Sequence, residues 1–326
     1  GMKTLLLISL IVAAQNVFCQ NAEIPLKNSR LPGNDLLYKN KVLPVQKAWI
    51  LSRKGSNRLD LSRLTPKDSS LWMNTTTSPL DPKLDQLEIY KDEVTSYLGA
   101  LKSNEGVFRF NVLGSSNELQ TIYVDKTLHT SLLRKNLLRK IGYKIPAMKY
   151  LPSINVSFKT IEEKEQFIEK LRWGAVGSTK RWINKERSTE LVLNLRDVAA
   201  IELSDEKLYN LAMGTPLGNL RPRVLRSLVV PYSLMNLGES INRFLVGLGK
   251  VKKGSLHLEH SNKFNNFSSA TIDDVNWIAR KIGRLTRSDF EEIVKLAHFP
   301  ASVQKVLVEK IISRRNSLLR LSLIHI

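Results

Sequence analysis

Val107-Phe108-Arg109-Phe110-Asn111-Val112 alternates apolar and polar side chains, and Leu119-Gln120-Thr121-Ile122-Tyr123-Val124 follows the turn sequence Gly114-Ser115-Ser116-Asn117. A period of two puts Phe108, Phe110 and Val112 on one face of a strand, so the two runs read as an antiparallel hairpin. A helix is expected from about Ser131 to Ile141, with Leu133, Leu137 and Ile141 inward. Arg134, Lys135, Arg139 and Lys140 then decorate its other side and last turn. Gly142 stops this helix and Pro146 follows. Tyr150–Phe158 reads as a further strand, and Thr160 with Glu163 as a capping box opening a helix to Leu171. The succession gives an α+β class: short antiparallel hairpins with amphipathic helices.

Upstream, residues 20–80 are punctuated by Pro25, Pro32, Gly33, Pro44, Gly55, Pro66 and Pro79 and read as an irregular lead-in, with Trp49 and Trp72 anchoring it. A helix is expected over Asp81–Leu101, where Leu84, Leu87, Val94, Tyr97 and Leu101 fall roughly on one face. Downstream, Glu190–Leu195 and Val198–Leu203 read as two short strands, and Ser204 as the start of a helix ending near Gly214. Arg223–Leu237 reads as helix with a break around Pro231. Lys250–His260 reads as a hairpin turning at Lys253-Gly254. The α+β domain is expected to span residues 81–265, and residues 266–320 to form a C-terminal three-helix subdomain. In that subdomain Thr271 with Asp274, and Thr286 with Asp289, cap the first two helices. Pro300 precedes the third, where Val303, Val306, Leu307, Lys310, Ile311 and Leu318 trace a mostly apolar stripe. Asp273, Asp274 and Asp289 sit where helix starts favour negative charge, which explains them without catalysis.

Both ends carry processing signals. Lys3 followed by the apolar run Thr4–Ala14 reads as a secretory signal peptide over residues 1–19, with Gly1 ahead of the natural start at Met2. Val17 and Cys19 occupy the small-residue positions before the cut, placing it ahead of Gln20. Cys19 is the single cysteine, so the exported chain would hold no thiol and no disulfide, a composition at home in a Gram-negative periplasm. Asn16 and Phe18 stand where a lipoprotein signal wants an apolar and a small residue, which argues against a lipid anchor at Cys19. Residues 321–326, LSLIHI, match the in-frame translation of a transposon mosaic-end sequencing adapter, so native sequence is expected to end at Arg320 in a fragment of a longer chain. No apolar run after Ala14 has the length of a membrane span.

Fifty Lys and Arg against thirty Asp and Glu leave a net charge of +20. Outside a cytoplasm such a field selects anionic envelope polymers or lipid headgroups. Nucleic acid is disfavoured as a partner, because aromatics rarely interleave with the basic residues and single-strand binding needs them for stacking. Sequons at Asn74, Asn155 and Asn266 are coincidental in a bacterial host. His257-Leu258-Glu259-His260 is the only local group of metal-type ligands, and its spacing is not that of a zinc protease, so no metal is assigned. A phosphate-binding glycine loop and a G-x-S-x-G elbow are absent, Gly247-Leu248-Gly249-Lys250 reads as a turn, and no cofactor is evident. A kinase-type Asp with Asn five residues later occurs at Asp205/Asn210 and again at Asp35/Asn40; two matches in one chain show how cheap the pattern is.

Val124-Asp125-Lys126-Thr127-Leu128-His129, Leu132-Leu133-Arg134-Lys135-Asn136-Leu137-Leu138, Gly142-Tyr143-Lys144-Ile145-Pro146 and Asp273–Ile282 continuing through Glu309-Lys310 to Asn316 together resemble uncharacterised large exported proteins of predatory Gram-negative bacteria. That resemblance spans residues about 55–320 and implies export alone. The order hairpin, basic helix and strand after a G-x-x-x-P is similar to the small lobe of secreted spore-coat-type (CotH-like) kinases. This likeness implies ATP and acidic metal ligands, but those later motifs have no residue-by-residue counterpart here. The expectation is therefore an exported basic protein acting as a cell-envelope binding or interaction component, with Arg134, Lys135, Arg139 and Lys140 as the anion contact and no catalytic residue assigned. A kinase-like phosphotransferase and a nonspecific nucleic-acid binder are the alternatives.

Overall fold

The computed structural model describes residues 20–27, 31–54, 58–74, 80–101, 107–174, 179–202, 210–213, 221–236, 248–260, 267 and 269–323. Residues 1–19, where a signal peptide is expected, most of the helix expected from Ser204, and the last three residues lie outside them. In chain order the strands are β1 (Gln20–Pro25), β2 (Leu37–Tyr38), β3 (Lys41–Val42), β4 (Val94–Ala100), β5 (Val107–Leu113), β6 (Leu119–Asp125), β7 (Met148–Ser157), β8 (Ile183–Asn184), β9 (Val192–Ile201), β10 (Gly249–Lys252) and β11 (Ser255–His260). The helices are α1 (Val45–Arg53), α2 (Leu128–Ile141), α3 (Ile161–Gly174), α4 (Arg223–Arg226), α5 (Val229–Leu234), α6 (Ile272–Gly283), α7 (Arg287–Lys295) and α8 (Ala301–Leu323). The class is α+β, with a helical region at the C-terminal end.

The hairpin β5–β6 pairs in full register from Val107↔Asp125 to Leu113↔Leu119. It belongs to a sheet whose pairings close into a ring, β4–β5–β6–β9–β7 and back to β4, with β8 beside the first half of β9. All pairs are antiparallel except β4 with β7. Inside the ring lie Phe108, Phe110, Val112, Ile122, Val124 and Ile154, closed over by Phe167 and Leu171 of α3. Phe167 meets Phe110 edge-on, with ring centroids 4.9 Å apart. The outer face of β6, β7 and β9 presents Tyr123, Met148 and Ala199 to a second core shared with α2, α5, α6, α7, α8 and the sheet β1–β11–β10.

The expected helix over Asp81–Leu101 is absent. A short 3-10 turn at Pro82–Asp85 and strand β4 take its place. In β4 the buried residues are Thr95 and Tyr97, while Val94 and Leu98 face out. The helical spacing of apolar residues was therefore coincidental, and the β-branched and aromatic content of Val94–Tyr97 prevails. The two strands expected around residues 190–203 are one strand, β9, whose inward set shifts from Leu193 and Leu195 to Val198 and Ala200. Opposite it, β7 shifts from Leu151 to Ile154 and Val156. Each strand thus carries one extra residue, and the register Leu151↔Val198, Ile154↔Leu195 is preserved. Asp197 takes φ 53° at this bulge, and Pro152, which has no N–H to donate, sits opposite.

The lead-in is more ordered than expected. β1 pairs with β11 along its whole length, and the small core of Leu43, Ala48 and Leu61 supports α1 and β2–β3. Trp72 is the anchor expected of it: fully buried, it packs edge-on against Tyr143 and Trp277, each 5.1 Å away. Trp49 is only half-buried, with the Arg53 guanidinium 3.9 Å over its ring. Gly142 ends α2 at φ 116°, and a Cβ there would come within 2.7 Å of the Trp72 ring, so both the turn and the packing require glycine.

The C-terminal capping boxes form as expected, at Thr271/Asp274 and Thr286/Asp289. The α8 stripe is corrected at Val306, which is half-exposed, its place being taken by Val308. The hairpin at Lys253-Gly254 has φ of 50° and 74° at the two turn residues, as a type I′ turn demands. The break expected at Pro231 falls earlier, at Ser227-Leu228, so that Pro231 lies in the first turn of α5, where its missing N–H costs nothing.

Asp274 does more than cap. It is fully buried, and its Oδ1 accepts from Arg223 Nε at 3.2 Å and Arg226 Nη2 at 2.8 Å while Oδ2 accepts from Arg226 Nε at 2.7 Å and Thr271 N–H at 3.0 Å. Asp274→Asn removes the carboxylate to which two buried guanidiniums hydrogen-bond and is expected to lower unfolding free energy by about 3–5 kcal/mol. Urea denaturation checks this, and a shift in midpoint at constant m-value is the expected form.

Candidate anion-binding surface

The four cations assigned to an anion contact do not form a solvated face. Arg134, Lys135 and Arg139 are 7%, 4% and 4% exposed. Lys135 Nζ donates to the Asp85 carboxylate and, at 2.9 Å, to Met148 O. Arg139 lies 3.0 Å from Asp85 Oδ1 and also donates to the carbonyls of Ile145 and Pro146. Arg134 lies 5.2 Å from the Tyr232 ring. Lys140 is half-buried between Asp289 at 2.8 Å and Glu292 at 2.9 Å, tying α2 to α7. The correction has a plain cause: α2 is buried nearly all round, between the ring and the helical region, so its polar side also faces protein. The carboxylates that Lys135, Arg139 and Lys140 meet are the protein's own.

Asp85 reaches α2 because Asp81 accepts from Lys83 N–H and starts the 3-10 turn that presents it. Burial opposes its ionisation, but Lys135, Arg139 and the Met148 N–H outweigh burial and hold its carboxyl below the ordinary 3.8. Burial is the largest influence on Lys135 and lowers its ammonium below the usual lysine value, with Asp85 pulling the other way.

The outward cations are elsewhere. Residues 39–67 contain eight Lys and Arg (Lys39, Lys41, Lys47, Arg53, Lys54, Arg58, Arg63 and Lys67) against the single acid Asp60. All eight are exposed. The small core of Leu43, Ala48 and Leu61, with Tyr38, Leu51 and Leu64 packed on it, turns α1 and the β2–β3 turn so that these side chains face solvent. Lys39 and Asn40 both take positive φ in that turn. Asp60 is shared by Arg63, 3.0 Å away, and Arg280 of α6. Asp60 is thus already engaged, and the module keeps a strong positive field. Its sequence signal was eight basic residues with almost no acid between them, hidden because they are dispersed rather than consecutive.

A polar cluster unforeseen from sequence lies where the ring meets the connection between α7 and α8. Tyr150 donates to Asp197 Oδ1 at 2.7 Å and stacks on His298, with centroids 4.5 Å apart. His129 Nδ1 lies 3.0 Å from Ala297 O. A carbonyl only accepts, so Nδ1 carries the proton and Nε2 is the basic nitrogen of the neutral ring. Burial, reinforced by Asp197, pushes the Tyr150 phenol far above its ordinary value, making it a fixed donor rather than a phenolate nucleophile. Burial, with His129 and Lys135 nearby, lowers His298. The cluster fastens the ring to the helical region.

The remaining sequence candidates that lie among the described residues have these surroundings. Asp35 is buried, and its Oδ2 accepts from Arg223 N–H at 3.0 Å. Asp205 lies outside the described residues, and Asn210 Oδ1 accepts from Ala212 N–H. His257 stands in β11 opposite Glu23 and Lys250. Among the described residues no group of three or more His, Cys, Asp or Glu could hold a metal ion, and no helix is long and apolar enough to cross a membrane.

With its folded pKa lowered, Asp85 contributes stability that is present above about pH 4 and lost as pH falls through the folded value. Asp85→Asn is therefore expected to cost about 3 kcal/mol at pH 7 and to flatten the acid limb of a stability–pH profile below pH 4. Equal acid limbs in parent and variant would refute the ion pair. Comparison with family models, curated proteins and solved structures finds no match.

Proposed function

We propose that this chain is an exported, basic envelope component that binds anionic polymers or lipid headgroups through residues 39–67. The carrying observation is that all eight cations of this segment are exposed while only one acid accompanies them. A surface of that kind concentrates polyanions by its summed field, and ordered counterions leave when the partner arrives. The leader-like residues 1–19 and the absence of cysteine after residue 19 support placement outside the cytoplasm. The single aromatic ring of this segment, Trp49, is already engaged by Arg53, and Tyr38 just ahead of it by Lys39, so base stacking is less favoured than phosphate or carboxylate contact.

Inorganic polyphosphate and vesicles containing phosphatidylglycerol serve as probes. Affinity for both is expected to fall roughly tenfold or more between 50 and 200 mM salt. Reversing Lys41, Lys47 and Lys54 together to Glu is expected to weaken both by more than about tenfold with an unchanged melting temperature, because these side chains are exposed and none of the described ion pairs uses them. Unchanged affinity in the triple variant would overturn the assignment of this segment.

A further inference from the structure

We propose that Arg134 anchors an internal site for a single compact oxyanion of the phosphate or sulfate type, where α2 meets α5. The site is separate from the basic surface of residues 39–67 and does not depend on the polymer-binding reading.

A buried cation needs an answering charge or a set of fixed acceptors. Lys135 and Arg139 find Asp85, Arg223 and Arg226 find Asp274, and Arg314 donates to Ser233 O. Arg134 is buried as deeply, at 7% exposure, yet it meets no carboxylate and no hydrogen-bond acceptor among the described residues. Its Nε is shut off from solvent and unpartnered. The Tyr232 ring, 5.2 Å away, presents its face, which attracts the charge but leaves the N–H donors without acceptors.

Helical side chains lean toward the N-terminus of their helix. Arg134 therefore lies over the turn that carries Ser131, three residues earlier on the same stripe. Ser131 is buried, and its hydroxyl stands 3.4 Å from the Tyr123 hydroxyl. Tyr123 is already committed to Asp125 Oδ2 at 2.5 Å, and Asp125 Oδ1 accepts from Thr127 N–H at 2.8 Å and Thr127 Oγ1 at 3.1 Å. Burial and Asp125 push the Tyr123 phenol far above its ordinary value while Arg134 pulls the other way, so the guanidinium stands within electrostatic reach of this network without joining it. Arg134 and Ser131 are the donors left over. A guanidinium fork takes two oxygens of a tetrahedral anion and a hydroxyl takes a third. With so little of Arg134 exposed, a compact ion fits where a strand of polymer does not.

Equilibrium dialysis of radiolabelled orthophosphate against the full chain tests the site, in about 150 mM chloride, where surface contacts are screened. The parent is expected to bind a single phosphate per chain, in competition with sulfate. Arg134→Met is expected to weaken binding more than about tenfold, and Ser131→Ala about fivefold. Arg134→Lys, which keeps the charge and loses the fork, is expected to fall between parent and Arg134→Met. Reversal of Lys41, Lys47 and Lys54 to Glu is expected to weaken polyphosphate binding and to leave orthophosphate binding unchanged. Circular dichroism checks folding; should Arg134→Met fail to fold, Ser131→Ala and Arg134→Lys decide. No saturable orthophosphate binding, equal affinity in the parent and the Arg134 and Ser131 variants, or binding abolished by the triple reversal would each overturn the site. The polymer-binding reading fails by a different result, polyphosphate affinity indifferent to that reversal.

Discussion

A single carboxylate, Asp274, organises the interior on which everything else is mounted. It has no solvent access and is held ionised by Arg223 and Arg226, with burial opposing them and its capping N–H helping. Burying three charges is unfavourable unless each finds fixed partners. Here one further donor of each arginine is directed at backbone, Arg223 Nη1 to Leu64 O and Arg226 Nη1 to Arg221 O, while the buried Arg223 Nη2 has no hydrogen-bond partner among the described residues. The Arg223 N–H in turn reaches Asp35. One buried cluster therefore joins α4, the first turn of α6 and both edges of the lead-in module. A Cβ on Gly33 would fall 2.6 Å from Asp35 Oδ1 and 2.7 Å from Arg226 Nη1, so the chain passes this cluster only as glycine. The basic module is displayed where it is because this network holds its two ends.

The fifty Lys and Arg include two groups with opposite physical fates. On α2 Lys135, Arg139 and Lys140 are answered by Asp85, Asp289, Glu292 and main-chain carbonyls, and Arg134 lies buried near the Tyr232 ring. They fix the packing of α2 against the Pro82–Asp85 turn, the residues before β7, and α7. On the lead-in module the cations are exposed, and among the described ion pairs only Arg63 meets an acid, Asp60. Only the second population creates a field that a partner can feel, because charge matched within a few ångströms is invisible at a distance. A count of basic residues per helix cannot separate the two; burial does.

Much of the local structure was legible because local chemistry dictates it. The hairpin follows from period-two alternation around Gly114–Asn117, both capping boxes from Thr three residues before Asp, the type I′ turn from Lys253-Gly254, and the end of α2 from Gly142. What the sequence hid depends on distant partners. Asp197 interrupts the alternation of β9, and only its pairing with a matching irregularity at Pro152 turns two apparent strands into one. Val94 falls on the apparent helical stripe although it faces solvent, while Thr95 turns inside and satisfies its hydroxyl on Asn155 O. Arg134, Lys135 and Arg139 read as surface because charge normally means solvent, and the residue that reverses the inference, Asp85, lies fifty positions upstream of Lys135. The polar cluster at Tyr150 is likewise assembled from four separate elements.

The central claim is that the charge of α2 is internal and that of residues 39–67 is presented outward. Lysine-selective acetylation read by mass spectrometry tests it most directly, with and without saturating anionic vesicles. Lys39, Lys41, Lys47, Lys54 and Lys67 should label rapidly in the free protein and become protected by the vesicles, while Lys135 resists labelling in both states. Rapid labelling of Lys135 that the vesicles suppress, with the lead-in lysines unprotected, would contradict the account.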